Sequence, residues 1–202
     1  MFNASLISIL VRFVYSKSLA EKLAAAFQVW YPDLYQYYRQ TFDSLYSHQP
    51  QLLPKPFPRS IFPGCSINFG GEVWCYPHRD SNNLGGGICA IKALGRFDHR
   101  RSAHLVLKEA KVVVEFPAAT TAFILSASCT HSNTPVQEGD QRISMTQYAA
   151  GPIFRYVENG FMTEKALCTL DPQKWAENEA LKGDAWLRAL HRIPTVSSMI
   201  EY

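Results

Sequence analysis

The stretch from Tyr76 to Gly87 reads Tyr-Pro-His-Arg-Asp-Ser-Asn-Asn-Leu-Gly-Gly-Gly, and the rest of the chain can be interpreted outward from it. Within this stretch His78 and Asp80 stand two positions apart. Alternate side chains of an extended strand point to the same side, so this imidazole and this carboxylate can hold one cation together. The stretch therefore predicts a metal site that takes a further ligand from elsewhere in the chain.

A third ligand and a partner for a carboxylate follow later in the sequence. The segment Cys129-Thr130-His131 supplies a second histidine, and Arg142 lies on the next predicted strand, which would return it to the metal. Two histidines and one carboxylate form the triad of non-heme Fe(II) sites, with positions left open for a cosubstrate and dioxygen. A guanidinium can clamp a carboxylate in bidentate fashion. We therefore expect His78, Asp80 and His131 to bind Fe(II), with Arg142 binding 2-oxoglutarate.

The same part of the sequence also contains the ligand types of a zinc site. Two thiols and two imidazoles are available, from Cys75, His78, Cys129 and His131. Structural zinc sites usually carry closely spaced ligand pairs, and this set lacks that closed spacing. Zinc would also leave Asp80 and Arg142 without a role, so the Fe(II) interpretation is preferred.

Composition favours a folded protein. Of the 202 residues, 47% are hydrophobic and 13% are aromatic, which is enough for a packed core in one domain. The net charge of +3 permits nucleic-acid binding without requiring it. Five cysteines without a paired spacing are typical of reduced thiols, so an intracellular protein is expected. The apolar residues 6–14 are too few to span a bilayer, and no membrane association is predicted.

Periodicity and turn residues predict an α+β fold. Helices are expected over 19–30, from 33 onward with a break at Pro32, over 173–181 after an Asp171-Pro172 start, and near 184–191. Short strands are predicted at residues 66–69, 88–93, 104–107, 112–116, 121–125 and 142–149. Strands of this length and spacing with no helix between them are typical of a jelly-roll or cupin-like double-stranded β-helix.

The expected organisation is a single domain over residues 1–202. Residues 1–63 would form N-terminal helices and a proline-rich connector, 64–161 the β-helix core, and 162–202 C-terminal helices packed on it. The tyrosines of the second helix could form a base-stacking surface, but their helical spacing favours packing against the sheet.

The motifs resemble those of a known family. The pattern His78-Arg79-Asp80-x-x-Asn83, followed by Arg142-Ile143-Ser144 and Tyr148, resembles the ten-eleven-translocation (TET) and base-J-binding-protein family of DNA dioxygenases, in its compact fungal form. The resemblance covers residues 64 to about 161 and lacks the cysteine-rich extension of the animal members. It implies that Asn83 and Tyr148 hold a flipped methylated cytosine and that His104 also contacts 2-oxoglutarate.

These residues also have ordinary structural explanations. Asn83 suits an Asx turn, Tyr148 suits a sheet, and a lone histidine such as His104 is more often a satisfied sheet residue than a ligand. A basic cluster in a predicted loop offers phosphate contacts or simply a solvated surface, and its arginines are Arg96, Arg100 and Arg101.

The expected function is oxidation of methylated bases in DNA by an Fe(II)/2-oxoglutarate dioxygenase, from 5-methylcytosine to 5-hydroxymethylcytosine and further. DNA with its target base flipped out is the expected partner, a nuclear location is expected, and no obligate protein partner is inferred. The alternatives are oxidation of N6-methyladenine, oxidation of a protein or small metabolite, and an inactive β-helix binding domain.

Overall fold

The computed structural model describes residues 18–55 and 57–195, and two helices open this part of the chain. Helix α1 covers residues 18–30, and α2 runs from Pro32 to His48. Pro32 occupies the first turn of α2, where its missing N–H is not needed. The predicted break at this proline is therefore confirmed. The apolar residues 6–14 lie outside the described part of the chain.

In the described part of the chain, seven short strands form two antiparallel sheets. Their bounds are β1 Gly64–Asn68, β2 Cys89–Arg96, β3 Leu105–Leu107, β4 Val112–Val114, β5 Thr121–Ile124, β6 His131–Asn133 and β7 Gln141–Tyr148. The larger sheet has the order β1-β7-β2-β5, and the smaller has the order β4-β3-β6. The predicted combination of short strands and helices is confirmed. The six predicted strands are all present, with ends that differ from the prediction by at most three residues.

Strand β6 was missed in the sequence. Its residues His131, Ser132 and Asn133 are polar and too few to show an alternating pattern. Only its pairing with β3, in which His131 lies opposite Leu107, makes this segment a strand.

Up to residue 195, four helices follow the last strand. They are α3 Gly151–Glu158, α4 Glu164–Leu170, α5 Pro172–Ala180 and α6 Ala185–Leu190, and short 3-10 turns lie at Pro50–Leu52 and Leu181–Asp184. The predicted start of α5 is confirmed, because the Asp171 side chain accepts a hydrogen bond from the Lys174 N–H at 3.0 Å. Helix α3 was missed, because it lies inside residues 64–161, which were expected to form the β core. Its start, Gly151-Pro152, resembles a turn, although proline also begins helices.

Helices α1, α2 and α3 cover one face of the larger sheet. Phe27 of α1, Tyr38 and Phe42 of α2 and Phe154 of α3 form a buried aromatic cluster against Ala90 of β2. The second-helix tyrosines pack in or against this cluster, as the spacing predicted. Since alternate strand residues face opposite sides, this packing leaves the other face of the sheet for a cavity.

A second apolar cluster lies between the two sheets. It joins Cys89, Ala93 and Ile124 of the larger sheet to Leu105 of the smaller one. None of the helices in the described ranges is long and apolar enough to cross a membrane.

Candidate metal centre and cavity

The predicted ligands His78, Asp80 and His131 lie side by side. One ligand atom from each lies within 4.8 Å of the others. The Nε2 atoms of His78 and His131 are 3.7 Å and 4.0 Å from the two carboxylate oxygens of Asp80. Residues 78 and 131 also exchange two backbone hydrogen bonds of 3.0 Å, which join their chain segments as an antiparallel bridge.

Backbone carbonyls orient both imidazoles. Nδ1 of His78 lies 2.8 Å from the Tyr76 carbonyl oxygen, and Nδ1 of His131 lies 3.0 Å from that of Cys129. A carbonyl only accepts, so in the neutral form of each ring Nδ1 carries the proton and Nε2 keeps a free lone pair. Both lone pairs are therefore available to a metal beside Asp80.

Burial keeps His131 in its ligand form. This residue is only 4% exposed, and desolvation lowers its pKa below the ordinary value despite the Cys129 carbonyl and nearby Asp80. A neutral imidazole is the form that binds metals.

Asp80 is held by its own loop. Its N–H donates to the Ser126 carbonyl at 2.9 Å. The Asn83 amide nitrogen lies 3.3 Å from Oδ2 of Asp80 and 3.0 Å from the Ser126 hydroxyl. Asn83 thus positions the metal-binding carboxylate, a role that sequence reasoning missed, and its N–H also closes a turn onto the Asp80 carbonyl at 2.8 Å.

The cysteines of the zinc alternative do not join this cluster. Cys75 donates to the Asn133 side-chain oxygen at 3.3 Å, and the Cys129 sulfur lies near the Thr130 carbonyl. Within residues 18–55 and 57–195, the one group of three or more such side chains able to hold a metal is the histidine–aspartate–histidine set.

Arg142 is a buried cation with unused donors. It is 1% exposed, and its Nη1 donates to the Val73 carbonyl at 2.6 Å. Its Nε and Nη2 find no acceptor among the described residues. Burial lowers the pKa of Arg142, which reflects the cost of an uncompensated charge away from water. A bound carboxylate would supply both the missing acceptors and the opposite charge.

One cavity of about 810 Å³ contains both the ligand cluster and Arg142. Its floor is the inner face of β7, where Arg142, Ser144, Thr146 and Tyr148 alternate with core residues. Asn68 of β1 donates to the Ser144 hydroxyl at 3.1 Å and continues this polar surface. The volume lies in the range of small-ligand sites, so a small diacid and a further group can fit together.

The remaining predicted residues divide into two sets. Asn83 and Tyr148 line the cavity. His104 does not line it, and its Nδ1 lies 3.2 Å from the Thr134 hydroxyl. The three arginines of the basic cluster also lie outside the lining and are exposed: Arg96, Arg100 and Arg101.

Two aromatic residues near the ligands were also missed. Trp74 lines the cavity, and its ring centroid lies 4.7 Å from that of Tyr76, which is 75% exposed. Their position directly before His78 was the available signal, since exposed aromatic side chains beside a site often contact ligands.

Comparisons with known proteins give weak matches. No family model and no curated protein matches the chain. A solved structure of NgTET1 with 5mC DNA is 16% identical over 48% of this chain and 37% of that chain, with a TM-score of 0.41.

Viral collagen prolyl hydroxylase vCPH from Paramecium Bursaria Chlorella virus-1 matches in two structures. The truncated form is 14% identical over 43% of this chain and 55% of that one, with a TM-score of 0.31. The 2OG complex is 10% identical over 55% and 70%, with a TM-score of 0.32. The match spans little more than a third of NgTET1. These scores establish no family, so function is inferred from side-chain geometry.

Proposed function

We propose that this chain is an Fe(II)/2-oxoglutarate-dependent oxygenase with His78, Asp80 and His131 as its iron ligands. The observation that carries the proposal is the unpaired, buried Arg142 guanidinium in the same cavity as the ligand cluster. A metal site alone would fit many metalloproteins. A metal site that shares its cavity with an unsatisfied buried cation fits a cosubstrate that chelates the metal and carries a second carboxylate.

Each group has a defined task in such an enzyme. Iron and 2-oxoglutarate supply the oxidising chemistry: a substrate C–H bond, dioxygen and 2-oxoglutarate become C–OH, succinate and carbon dioxide. Arg142 binds the far carboxylate of the cosubstrate and so sets its orientation. The carbonyl bonds to the two Nδ1 atoms keep both imidazoles aimed at the metal.

The proposed fold matches this chemistry. We interpret the two antiparallel sheets as the halves of a double-stranded β-helix within a single oxygenase domain. The apolar cluster between the sheets, with Cys89 and Leu105, supports this interpretation. The ligand cluster lies where β6 of the smaller sheet meets the loop before β2.

For the substrate we propose a methylated nucleobase in DNA, with 5-methylcytosine preferred. Tyr148 on the cavity floor would stack on a flipped base. Asn83 at the cavity wall would contact the base edge through its side-chain oxygen, since its amide nitrogen holds Asp80. The exposed pair Trp74 and Tyr76 offers further stacking area at the mouth. The histidine-arginine-aspartate motif with its following asparagine supports the same substrate, and an intracellular, nuclear location is consistent with it.

Two further roles belong to this proposal. Phosphates of the DNA would meet the exposed basic residues Arg96, Arg100 and Arg101, which stand outside the cavity. His104 would contact 2-oxoglutarate only after its ring left Thr134, since it does not line the cavity in this arrangement.

The central experiment combines cosubstrate and product analysis. Purified protein is incubated with Fe(II), 2-oxoglutarate, ascorbate and a duplex carrying 5-methylcytosine. Succinate is quantified, and the digested DNA is analysed by mass spectrometry for oxidised nucleosides. We expect both products from the wild type and neither from Asp80→Ala. The matched control is Asp43→Ala, which removes an exposed carboxylate paired with Arg39 on α2 and should leave both yields unchanged.

The outcomes separate the alternatives. Oxidised adenine in a parallel N6-methyladenine duplex would move the substrate assignment to that base. Succinate release without DNA oxidation would indicate a protein or metabolite substrate. Absence of both metal and 2-oxoglutarate binding would contradict the enzyme proposal and leave a binding domain.

A further inference from the structure

Arg79, the residue between two proposed ligands, connects the His78–Asp80 loop to the segment that carries His131. Its Nε donates to the Thr130 hydroxyl at 2.9 Å, and its Nη2 donates to the Glu109 carboxylate at 2.5 Å. Thr130 directly precedes the third ligand, so the side chain spans the two halves of the metal site.

Glu109 completes this connection from the turn after β3. One carboxylate oxygen accepts the Thr130 hydroxyl at 2.8 Å, and the other accepts the Thr130 N–H at 2.6 Å. The Thr130 carbonyl in turn accepts the Lys108 N–H at 2.9 Å. Arg79, Glu109 and Thr130, which we call the brace, therefore form a closed set of charge-assisted hydrogen bonds.

The brace complements the backbone bridge at the metal site. Residues 78 and 131 already share two backbone hydrogen bonds, which fix their distance along one line. Two segments joined along one line can still rotate about it. The brace adds a further attachment through the neighbouring residues 79 and 130, beside the bonds that join Cys75 to Asn133 and Asp80 to Ser126, and so restricts the angle between the imidazoles.

We propose that Glu109 is a positioning residue for the metal centre, holding Arg79 and Thr130 so that the ligands on the two segments converge on one ion. The inference rests on the proposed function, because it presupposes that the cluster binds a metal. Substitution of residues that orient the ligands from outside the ligand set typically lowers metal affinity by about 10–100-fold.

An ordinary surface ion pair would not have this effect. The Arg79 and Glu109 side chains are 52% and 42% exposed, and an isolated pair at such exposure contributes little to stability. Glu109, however, accepts one hydrogen bond from Arg79, which lies between two ligands, and two from Thr130, which precedes the third. Its removal should therefore affect the geometry of the site more than the stability of the fold.

The test measures metal affinity apart from turnover. Metal-free protein is titrated with Co(II), followed by its visible absorption, for the wild type, Glu109→Ala, Arg79→Ala and the double variant. Melting temperatures of the metal-free proteins are measured in parallel. We expect each single variant to weaken Co(II) binding about tenfold, and the double variant to be no weaker than either single one, since the brace acts as a unit.

Two further variants make the result specific. Glu109→Gln keeps an acceptor for Thr130 but loses the charge, so it should give an intermediate affinity. Glu164→Ala, on α4, removes ion pairs of similar exposure with Arg155 of α3 and with Lys182, and should leave Co(II) affinity unchanged.

The possible failures are distinguishable. If the wild type binds Co(II) and both Glu109 variants bind it equally well, the brace is wrong and the proposed function stands. If Glu164→Ala weakens binding as much as Glu109→Ala, the effect is a general one and the positioning role is wrong. If the wild type binds neither Co(II) nor Fe(II), the proposed function fails and the brace fails with it.

Discussion

At the scale of the residue, Arg142 is the buried side chain whose charge most needs a partner. A guanidinium that is 1% exposed and lacks acceptors on two nitrogens carries a desolvation penalty that an anionic ligand would relieve. The neighbouring imidazoles instead need a cation, since each neutral ring presents a free Nε2 lone pair. A metal ion chelated by a dicarboxylate would interact with the imidazoles and with the guanidinium at once.

The first prediction concerns Arg142→Lys. Lysine keeps the positive charge but loses the planar fork, so at least one charge-assisted hydrogen bond to 2-oxoglutarate is lost. Such a bond contributes about 1.5–3 kcal/mol, so affinity should fall roughly tenfold or more. Calorimetric titration of the Mn(II)-loaded protein with 2-oxoglutarate would measure it. Arg155→Lys, on the exposed face of α3, is the control, and equal affinities of wild type and Arg142→Lys would contradict the clamp.

A second prediction separates substrate from cosubstrate at Tyr148. Tyr148→Ala removes the ring from the cavity floor and should lower the affinity for methylated DNA roughly tenfold, since stacking contributes about 1–3 kcal/mol per base. Tyr148→Phe keeps the ring and should bind DNA as the wild type does. Fluorescence anisotropy with a labelled duplex measures DNA binding, and 2-oxoglutarate affinity should stay constant in both variants. An unchanged DNA affinity in Tyr148→Ala would remove the stacking role.

At the scale of the element, β7 organises the site. It pairs with β1 on one side and β2 on the other, and its alternate residues face the cavity and the helices. Gly95 of β2 lies opposite Arg142 in this pairing. The backbone there approaches so closely that an ideal Cβ on Gly95 would meet the Gln141 carbonyl oxygen at 2.1 Å, and its φ is +110°. Strand pairing beside Arg142 therefore depends on a glycine.

The third prediction follows from this pairing. Gly95→Ala combines a clash with an unfavourable φ. It should therefore lower the free energy of unfolding by at least the roughly 1–3 kcal/mol expected for backbone strain alone. Gly139→Ala is the matched control: its φ is +84°, but no described atom lies within 4 Å of the added Cβ. Urea denaturation should find Gly95→Ala the less stable of the two. Equal losses would indicate that the close approach is tolerated.

At the scale of the whole molecule, layers decide which groups are buried. Helices cover one face of the larger sheet and the smaller sheet covers part of the other. Two thiols lie partly or fully buried in these layers. Burial raises the pKa of Cys65 to about 11 and that of Cys89 to about 12, from an ordinary value of 9.0. Both thiols stay protonated where free cysteine begins to ionise.

The fourth prediction is a loss of stability in alkaline solution. A pKa raised in the folded state means that the unfolded chain loses its protons first, so stability is full below pH 9.0 and declines as pH rises towards 11 and 12. Urea unfolding at pH 8 and 10.5 would measure the decline. Cys89→Ala should make it shallower, whereas Cys168→Ala, which removes an exposed thiol, should leave it unchanged. A stability independent of pH over this range would contradict the prediction.

Local features of the sequence were sufficient for several elements. Pro32 and the Asp171-Pro172 pair mark helix starts because proline and capping residues act within one turn. The six predicted strands were recognisable from β-branched residues between turn residues. The fold class and the location of these elements were therefore accessible without tertiary information. Strand β6 and helices α3 and α4 were not predicted. Strand β6 depends on pairing, α3 begins with a turn-like Gly151-Pro152, and α4 lies outside the helices expected from periodicity.

The sequence by itself also identified the residues that the structure brings into one cavity with a candidate metal cluster, namely His78, Asp80, His131 and Arg142. Ligand chemistry depends on residue type and order, which a sequence displays. Only the tertiary structure decided that Arg142 lacks acceptors, that Asn83 holds Asp80, that His104 turns to Thr134, and that Glu109 joins the two ligand segments. Those facts depend on distances between segments far apart along the chain, and such distances are set by strand register and layer packing.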